Sequence, residues 1–103
     1  MANYVLIYSG GGMPESEEEQ AAVMAAWGAW MGGMGDALVD GGNPTGASQG
    51  VASDGSVGAP TIAGVSGYSI VSADSMDAAL EIAKGCPILQ GNGQVSVYET
   101  FEM

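Results

Sequence analysis

The chain of 103 residues is long enough for one domain with one hydrophobic core and too short for two, and 47% of its residues are apolar. Twelve Asp and Glu side chains outnumber the single basic side chain, that of Lys84, and leave a net charge of −11. Such a charge repels polyanions, so we expect no binding to nucleic acid or to anionic membrane surfaces.

The chain has no His and only one Cys, Cys86. Zinc sites need several such ligands, so we expect neither a metal nor another cofactor. A lone Cys cannot form an internal disulfide, which suits a reducing compartment. The apolar run at residues 4–8 is too short for a signal peptide or a membrane span. We therefore expect a cytoplasmic protein.

The first half of the chain predicts a strand followed by a long helix. Residues 3–8 are rich in β-branched and aromatic side chains and stop at glycines 10–12, which is typical of a strand. Ser16 and Glu19 form a capping-box pattern, which predicts the start of a helix, and Gly35 predicts its end. Between them an apolar stripe recurs with helical spacing: Val23, Ala26, Trp27, Trp30, Met31 and Met34.

The second half predicts three more strands, at residues 37–40, 67–73 and 94–101. A second helix follows a cap at Asp74 or Ser75, because four apolar residues then recur with helical spacing: Met76, Ala79, Leu80 and Ala83. Residues 45–66 are rich in small and polar residues, and we expect a variable loop or an irregular hairpin there, with its tight turn at Asp54 and Gly55.

This order of elements predicts a single α+β domain over residues 1–103. Two β-α-β halves joined by an insert are typical of a ferredoxin-like βαββαβ sandwich, with a four-stranded antiparallel sheet and both helices on one face.

Two helices cover only one face of such a sheet, yet apolar residues lie on both sides of the first strand. We expect an uncovered apolar face formed by Tyr4, Leu6, Tyr8, Tyr68 and Ile70. An apolar face of this kind is uncommon on a monomer, and a second copy of the chain covers it most simply. The sequence therefore predicts a homodimer. The alternative is that the insert at residues 45–66 folds back over this face.

Two segments resemble ion-binding sites but lack the spacing that such sites require. Glycines 10–12 lie between a strand and a helix, but they match no phosphate-loop motif, and glutamates already occupy the helix start. The side chains of Glu17, Glu18 and Glu19 point about 100° apart on a helix, so they cannot converge on one cation. We interpret Trp27 and Trp30 as core residues and Cys86 as a structural thiol.

Asp40, Asn43 and Tyr68 are the candidate ligand-binding residues. Asp40 ends an apolar strand at a Gly-Gly turn, Asn43 follows closely, and Tyr68 belongs to another strand of the predicted sheet. A desolvated carboxylate beside a phenol is suited to acid–base chemistry. The alternative is that Asp40 only accepts hydrogen bonds from the backbone amides of the turn.

Several segments of the chain together resemble the YCII-related family of DGPF-type proteins. They are residues 37–44 (ALVDGGNP), 67–71 (GYSIV), 77–87 (DAALEIAKGCP) and 98–103 (YETFEM), beside a tyrosine-rich first strand. The resemblance implies the dimeric ferredoxin-like α+β barrel fold. Some members carry a His–Asp pair with a suggested catalytic role. This chain has no His, and Gly58-Ala59-Pro60 is only a remnant of the Asp-Gly-Pro-Phe signature.

We therefore expect a small homodimeric protein whose cleft binds a small uncharged or cationic molecule. No catalytic constellation is recognisable in the sequence, which favours binding over catalysis. Two alternatives stay open: an isomerase- or cyclase-type enzyme that uses Asp40 with Tyr68, and a regulatory protein-interaction module.

Overall fold

The computed structural model describes residues 2–11 and 15–102, so Gly12 of the predicted glycine turn and Met103 of the tail lie outside the described residues. The described residues form six strands: β1 (Ala2–Ser9), β2 (Leu38–Asp40), β3 (Gly50–Val51), β4 (Val57–Gly58), β5 (Val65–Ala73) and β6 (Gln94–Glu99). The helices are α1 (Glu17–Met34) and α2 (Met76–Lys84), with short 3-10 helices at Gly35–Ala37 and Pro87–Gly91.

Four of the strands form one antiparallel sheet in the order β2-β5-β1-β6, while β3 and β4 pair only with each other. Without the β3–β4 insert the element order is βαββαβ, and the sheet order is that of a ferredoxin-like sandwich. The predicted α+β class, the two helices and the four-stranded antiparallel sheet are confirmed.

The core lies between the helices and one face of this sheet. Its fully buried apolar residues are Tyr4, Leu6, Tyr8, Val71, Ala73, Ala79, Ala83 and Cys86. Tyr4 lies opposite Val71, and Leu6 lies opposite the buried Ser69, so these side chains share the helix-covered face.

The predicted composition of the uncovered face was therefore wrong in part. Tyr4, Leu6 and Tyr8 are buried under the helices, whereas Tyr68 and Ile70 lie opposite Ile7 and Val5 on the other face. Both faces of β1 are apolar, and alternation alone does not say which face the helices choose. We call Val5, Ile7, Tyr68, Ile70 and Tyr98 the open sheet face; Tyr98 lies opposite Val5 on β6 and is 54% exposed.

The insert does not fold back over the open sheet face. Within residues 45–64 every residue is exposed except Gly50 and Pro60, which are half-buried. We call residues 45–64 the arm. A tight turn closes it: Gly55 has φ +90°, and its amide donates to the Ala52 carbonyl at 2.9 Å.

Both helices begin at a serine cap. Ser16 Oγ accepts from the Glu19 amide at 3.1 Å, and Ser75, rather than Asp74, accepts from the Ala78 amide at 3.1 Å. The predicted stripe of α1 is its inward side, yet no residue of α1 is fully buried. Since the stripe is only half-buried, α1 does not close fully onto the sheet, and a cleft remains beside it.

Candidate ligand-binding cleft

The cleft consists of two adjoining cavities beside α1. The first, of about 450 Å³, extends to the end of the sheet and to the loop after β2; the second, of about 590 Å³, extends to the 3-10 helix Pro87–Gly91. Residues that line both cavities are Val23, Trp27, Pro44, Ser66 and Ile88. Each cavity lies within the usual size range of sites for small organic molecules.

Aromatic side chains hold α1 at a fixed distance from the sheet. The Trp27 ring packs edge-on against Tyr8, with ring centroids 5.1 Å apart, and edge-on against Trp30 at 5.7 Å. Trp30 is anchored in turn, because its Nε1 donates to the Ile82 carbonyl of α2 at 3.1 Å. Trp27 therefore has one side in the aromatic cluster and another side on the cleft.

A buried hydrogen-bond chain fixes the cleft wall to the sheet. The Tyr8 hydroxyl donates to Ser69 Oγ at 2.7 Å, and Ser69 Oγ donates to the Gly41 carbonyl at 2.8 Å. Burial raises the pKa of Tyr8 from its ordinary 10.0 to about 12, so the phenol keeps its proton at neutral pH. Gly41 begins the loop that lines the first cavity, and the chain of bonds thus positions that loop.

Cys86 lies behind this chain and is fully buried. Burial raises the pKa of its thiol from 9.0 to about 11, so the thiolate that a nucleophile requires is scarce at neutral pH. Cys86 lines neither cavity, and its surroundings are those of a structural thiol.

The structure brings two of the three predicted site residues together. Asn43 Nδ2 lies 3.4 Å from the Tyr68 hydroxyl and is placed to donate to it, and both residues line the first cavity. Asp40 is exposed, lines neither cavity and accepts from the Gly42 amide at 2.8 Å, so it closes the turn that carries Asn43. Gly42 has φ +73°, and a Cβ there would overlap the Tyr68 carbonyl, which explains the glycine.

Several lining residues were not recognised as site residues from the sequence. Trp27 was interpreted as core because a stripe with helical spacing is usually buried. Tyr8 was placed on the wrong face, and Ser66 and Ile88 lie in segments without any recognisable motif. One signal was present: Trp27 and Met31 lie one turn apart on a helix otherwise rich in Ala and Gly, which leaves space beside them.

The cleft carries little charge. Among its lining residues only Glu19, at the second cavity, has a charged side chain. The one basic side chain of the chain, Lys84, lies on the exposed side of α2, where its Nζ is 2.8 Å from Glu81 Oε1. The cleft therefore has no basic side chain to neutralise an anionic ligand.

Metal sites and membrane-spanning helices need features that the described part of the chain lacks. Residues 2–11 and 15–102 contain no group of three His, Cys, Asp or Glu that could hold a metal ion. Within the same residues no helix has both the length and the apolar character needed to cross a membrane.

Comparison with known proteins finds a structural relative but no family. No family model matches the chain, and no curated protein matches it either. The solved structure of 5-chloro-2-hydroxyhydroquinone dehydrochlorinase (TftG) from Burkholderia phenoliruptrix AC1100, in complex with 2,5-dihydroxybenzoquinone, is similar, with a TM-score of 0.58 and 19% sequence identity. The match covers 97% of this chain and 95% of the TftG chain.

At this identity the likeness supports the fold and no particular residue. It spans nearly the whole length of both chains, so the architecture described above is that of an observed small α+β protein. The resemblance to YCII-related proteins stays a prediction, because no family model matches.

Proposed function

We propose that the chain is a cytoplasmic homodimeric protein whose cleft binds a small, mostly apolar organic molecule that is uncharged or cationic. The observation that carries this proposal is the pair of adjoining cavities lined by Trp27, Val23 and Ile88. Mostly apolar walls with a few polar groups at one end are typical of small-molecule sites.

The polar groups at the first cavity suggest how such a ligand is oriented. The Asn43 side-chain amide, which lies 3.4 Å from the Tyr68 hydroxyl, offers a hydrogen-bond donor and an acceptor to an uncharged polar group. The edge-on contact with Tyr8 leaves the remaining surface of the Trp27 ring for a planar or cationic partner. TftG holds a planar ring compound on a similar fold, so a ligand of this size is compatible with the architecture.

The test is a titration with three probes that share a benzyl or phenyl group and differ in charge: benzyl alcohol, benzylamine and benzoate. Tryptophan fluorescence reports binding, because Trp27 lines the cleft. We expect the uncharged and cationic probes to change the emission and benzoate to bind at least about 10-fold more weakly, a difference of about 1.4 kcal/mol. Tighter binding of benzoate, or no change with any probe, would contradict the proposal.

Variants locate the site within the protein. Trp27→Leu should abolish the fluorescence response, with Trp30 left as the emitter. Tyr68→Phe removes the hydroxyl that orients the Asn43 amide and should weaken the binding of a hydrogen-bonding probe such as benzyl alcohol. Tyr98→Phe is the matched control, because Tyr98 also loses a hydroxyl but does not line the cleft. Equal effects of Tyr68→Phe and Tyr98→Phe would show that the probe binds elsewhere.

The alternative is an isomerase- or cyclase-type enzyme that uses Asp40 with Tyr68. The likeness to TftG, a dehydrochlorinase, favours keeping it. Against it stands the position of Asp40 outside both cavities, with one oxygen bonded to the Gly42 amide. Incubating the protein with a probe that binds, and then measuring the mass of that probe, distinguishes the two functions. Conversion of the probe that is lost in Asp40→Asn supports the enzyme. Recovery of the unchanged probe supports binding alone.

A further inference from the structure

The arm exposes several apolar side chains to solvent. Val51 and Val57 are 70% and 64% exposed, and Ile62 is 64% exposed. Val51 lies directly opposite Val57 in the β3–β4 pairing, so both side chains project from the same side of the two-stranded ribbon. The ribbon therefore has one apolar side turned to solvent.

Hydrogen bonds define the arm at its base and at its tip. At the base, the Thr45 amide donates to the Ser66 carbonyl at 3.0 Å, and Thr45 Oγ1 donates to the Val65 carbonyl at 2.9 Å. At the tip, Asp54 Oδ1 accepts from the amide and the hydroxyl of Ser56 at 2.9 and 2.7 Å. Isolated two-stranded hairpins are marginal in water, so an arm of this shape needs a surface to pack on.

The whole chain exposes more surface than a compact monomer. A monomeric protein of its mass, 10.2 kDa, has an accessible surface of about 5,300 Å². The chain has 6953 Å² and a radius of gyration of 15.0 Å, against about 13 Å for a compact domain of this length. The excess of about 1,600 Å² exceeds the roughly 800 Å² that each partner buries in a standard interface.

Charge favours a second copy as the partner. Two copies that each carry −11 repel one another, so they can associate only through surfaces that are nearly free of carboxylates. Between residues 41 and 73 the only charged residue is Asp54, at the tip of the arm and bonded to Ser56. The open sheet face itself is uncharged, and Asp40 lies at its border, opposite Ile70 on the edge strand β2.

We propose that the arm of each subunit packs its Val51 and Val57 side against the second subunit and so extends the dimer interface beyond the open sheet face. This inference rests on the proposed homodimer. A two-fold axis places two arms in one dimer, so every apolar contact of the arm occurs twice in the interface.

The test compares dimer dissociation constants, measured by sedimentation equilibrium, for Val51→Glu, Val57→Glu and Ala52→Glu. The first two put a carboxylate on the apolar side of the ribbon. Ala52→Glu is the matched control, because the neighbouring side chain projects from the opposite side. We expect Val51→Glu and Val57→Glu each to weaken the dimer at least about 10-fold, and Ala52→Glu to change it less than about 3-fold.

The outcomes separate the two proposals. A wild-type chain that stays monomeric overturns both the dimer and the role of the arm. A wild-type dimer that Ile70→Glu disrupts, but that Val51→Glu and Val57→Glu leave as tight as Ala52→Glu does, overturns the role of the arm alone. The valines are exposed in the subunit, so circular dichroism should show that all these variants stay folded.

Discussion

At the scale of single residues, Tyr8 connects the core, the cleft and the loop after β2. It is 5% exposed, its ring contacts Trp27, and its hydroxyl donates a hydrogen bond to Ser69 Oγ. Cys86 is buried close by, and burial raises the pKa of both side chains. Burial disfavours the ionised form of each, so both side chains stay neutral in the folded chain at neutral pH.

These two pKa values predict how stability depends on pH. The unfolded chain releases protons near the ordinary values of 9.0 for Cys86 and 10.0 for Tyr8, while the folded chain holds them until about 11 and about 12. The stabilisation is complete below pH 9 and is lost as pH rises from there, because ionisation then favours the unfolded chain.

Urea denaturation at a series of pH values measures this effect. The midpoint should be nearly constant from pH 7 to about 8.5 and should fall above pH 9. Cys86→Ala should start from a lower midpoint, since it removes buried volume, but should fall less steeply with pH. If the midpoint of Cys86→Ala falls with pH as steeply as that of the wild type, the Cys86 thiol does not contribute to the pH dependence of stability.

At the scale of elements, α1 is a loosely packed part of the sandwich. None of its residues is fully buried, and three glycines interrupt its sequence: Gly28, Gly32 and Gly33. Glycine costs a helix up to about 1 kcal/mol relative to alanine. The helix is therefore held by its cap and by the contacts of Trp27 and Trp30.

Gly28→Ala should stabilise the fold by about 0.5–1 kcal/mol, because Gly28 lies in the middle of α1 with nothing within 4 Å of an added Cβ. Gly42→Ala is the contrasting variant and should destabilise it by more than about 1 kcal/mol, since φ is +73° and the Tyr68 carbonyl fills the space. Thermal or chemical denaturation gives both values. A loss of stability in Gly28→Ala would mean that the outer side of α1 is covered.

The elements were more predictable from the sequence than their contacts. The stripe of α1, the Ser16 cap and the final strand follow from local patterns, and the structure contains them. The assignment of the faces of β1 failed, because Tyr4 and Val5 are both apolar and only the register, with Ile7 opposite Tyr68, decides which neighbours they share. The cleft could not be predicted from the sequence either, because the distance between a helix and the sheet decides whether the helix is fully or only half-buried.

At the scale of the whole molecule, acidity and exposed apolar area act against each other. The net charge of −11 makes two copies of the chain repel each other, while burial of the apolar open sheet face would favour their association. Salt screens the repulsion and leaves the apolar contact, so self-association should strengthen as ionic strength rises.

Ile70→Glu tests the open sheet face. It places a charge among Val5, Tyr68 and Tyr98 and should convert a dimer into monomers at about 10 μM, a concentration at which a micromolar dimer is mostly associated. Ala25→Glu adds the same charge to the exposed side of α1 and should leave the dimer intact. Light scattering gives the mass of each. A wild-type mass of one chain would refute the dimer directly.

The base of the arm is also part of the cleft wall. Pro44 forms an isolated β-bridge with Gly67, next to the hydrogen bonds of Thr45. Pro44 and Ser66 line both cavities. A molecule that binds more tightly when the arm is docked must, by thermodynamic reciprocity, tighten subunit association by the same factor. Occupancy of the cleft would then depend on the concentration of the protein itself, and dilution would release the molecule together with the partner.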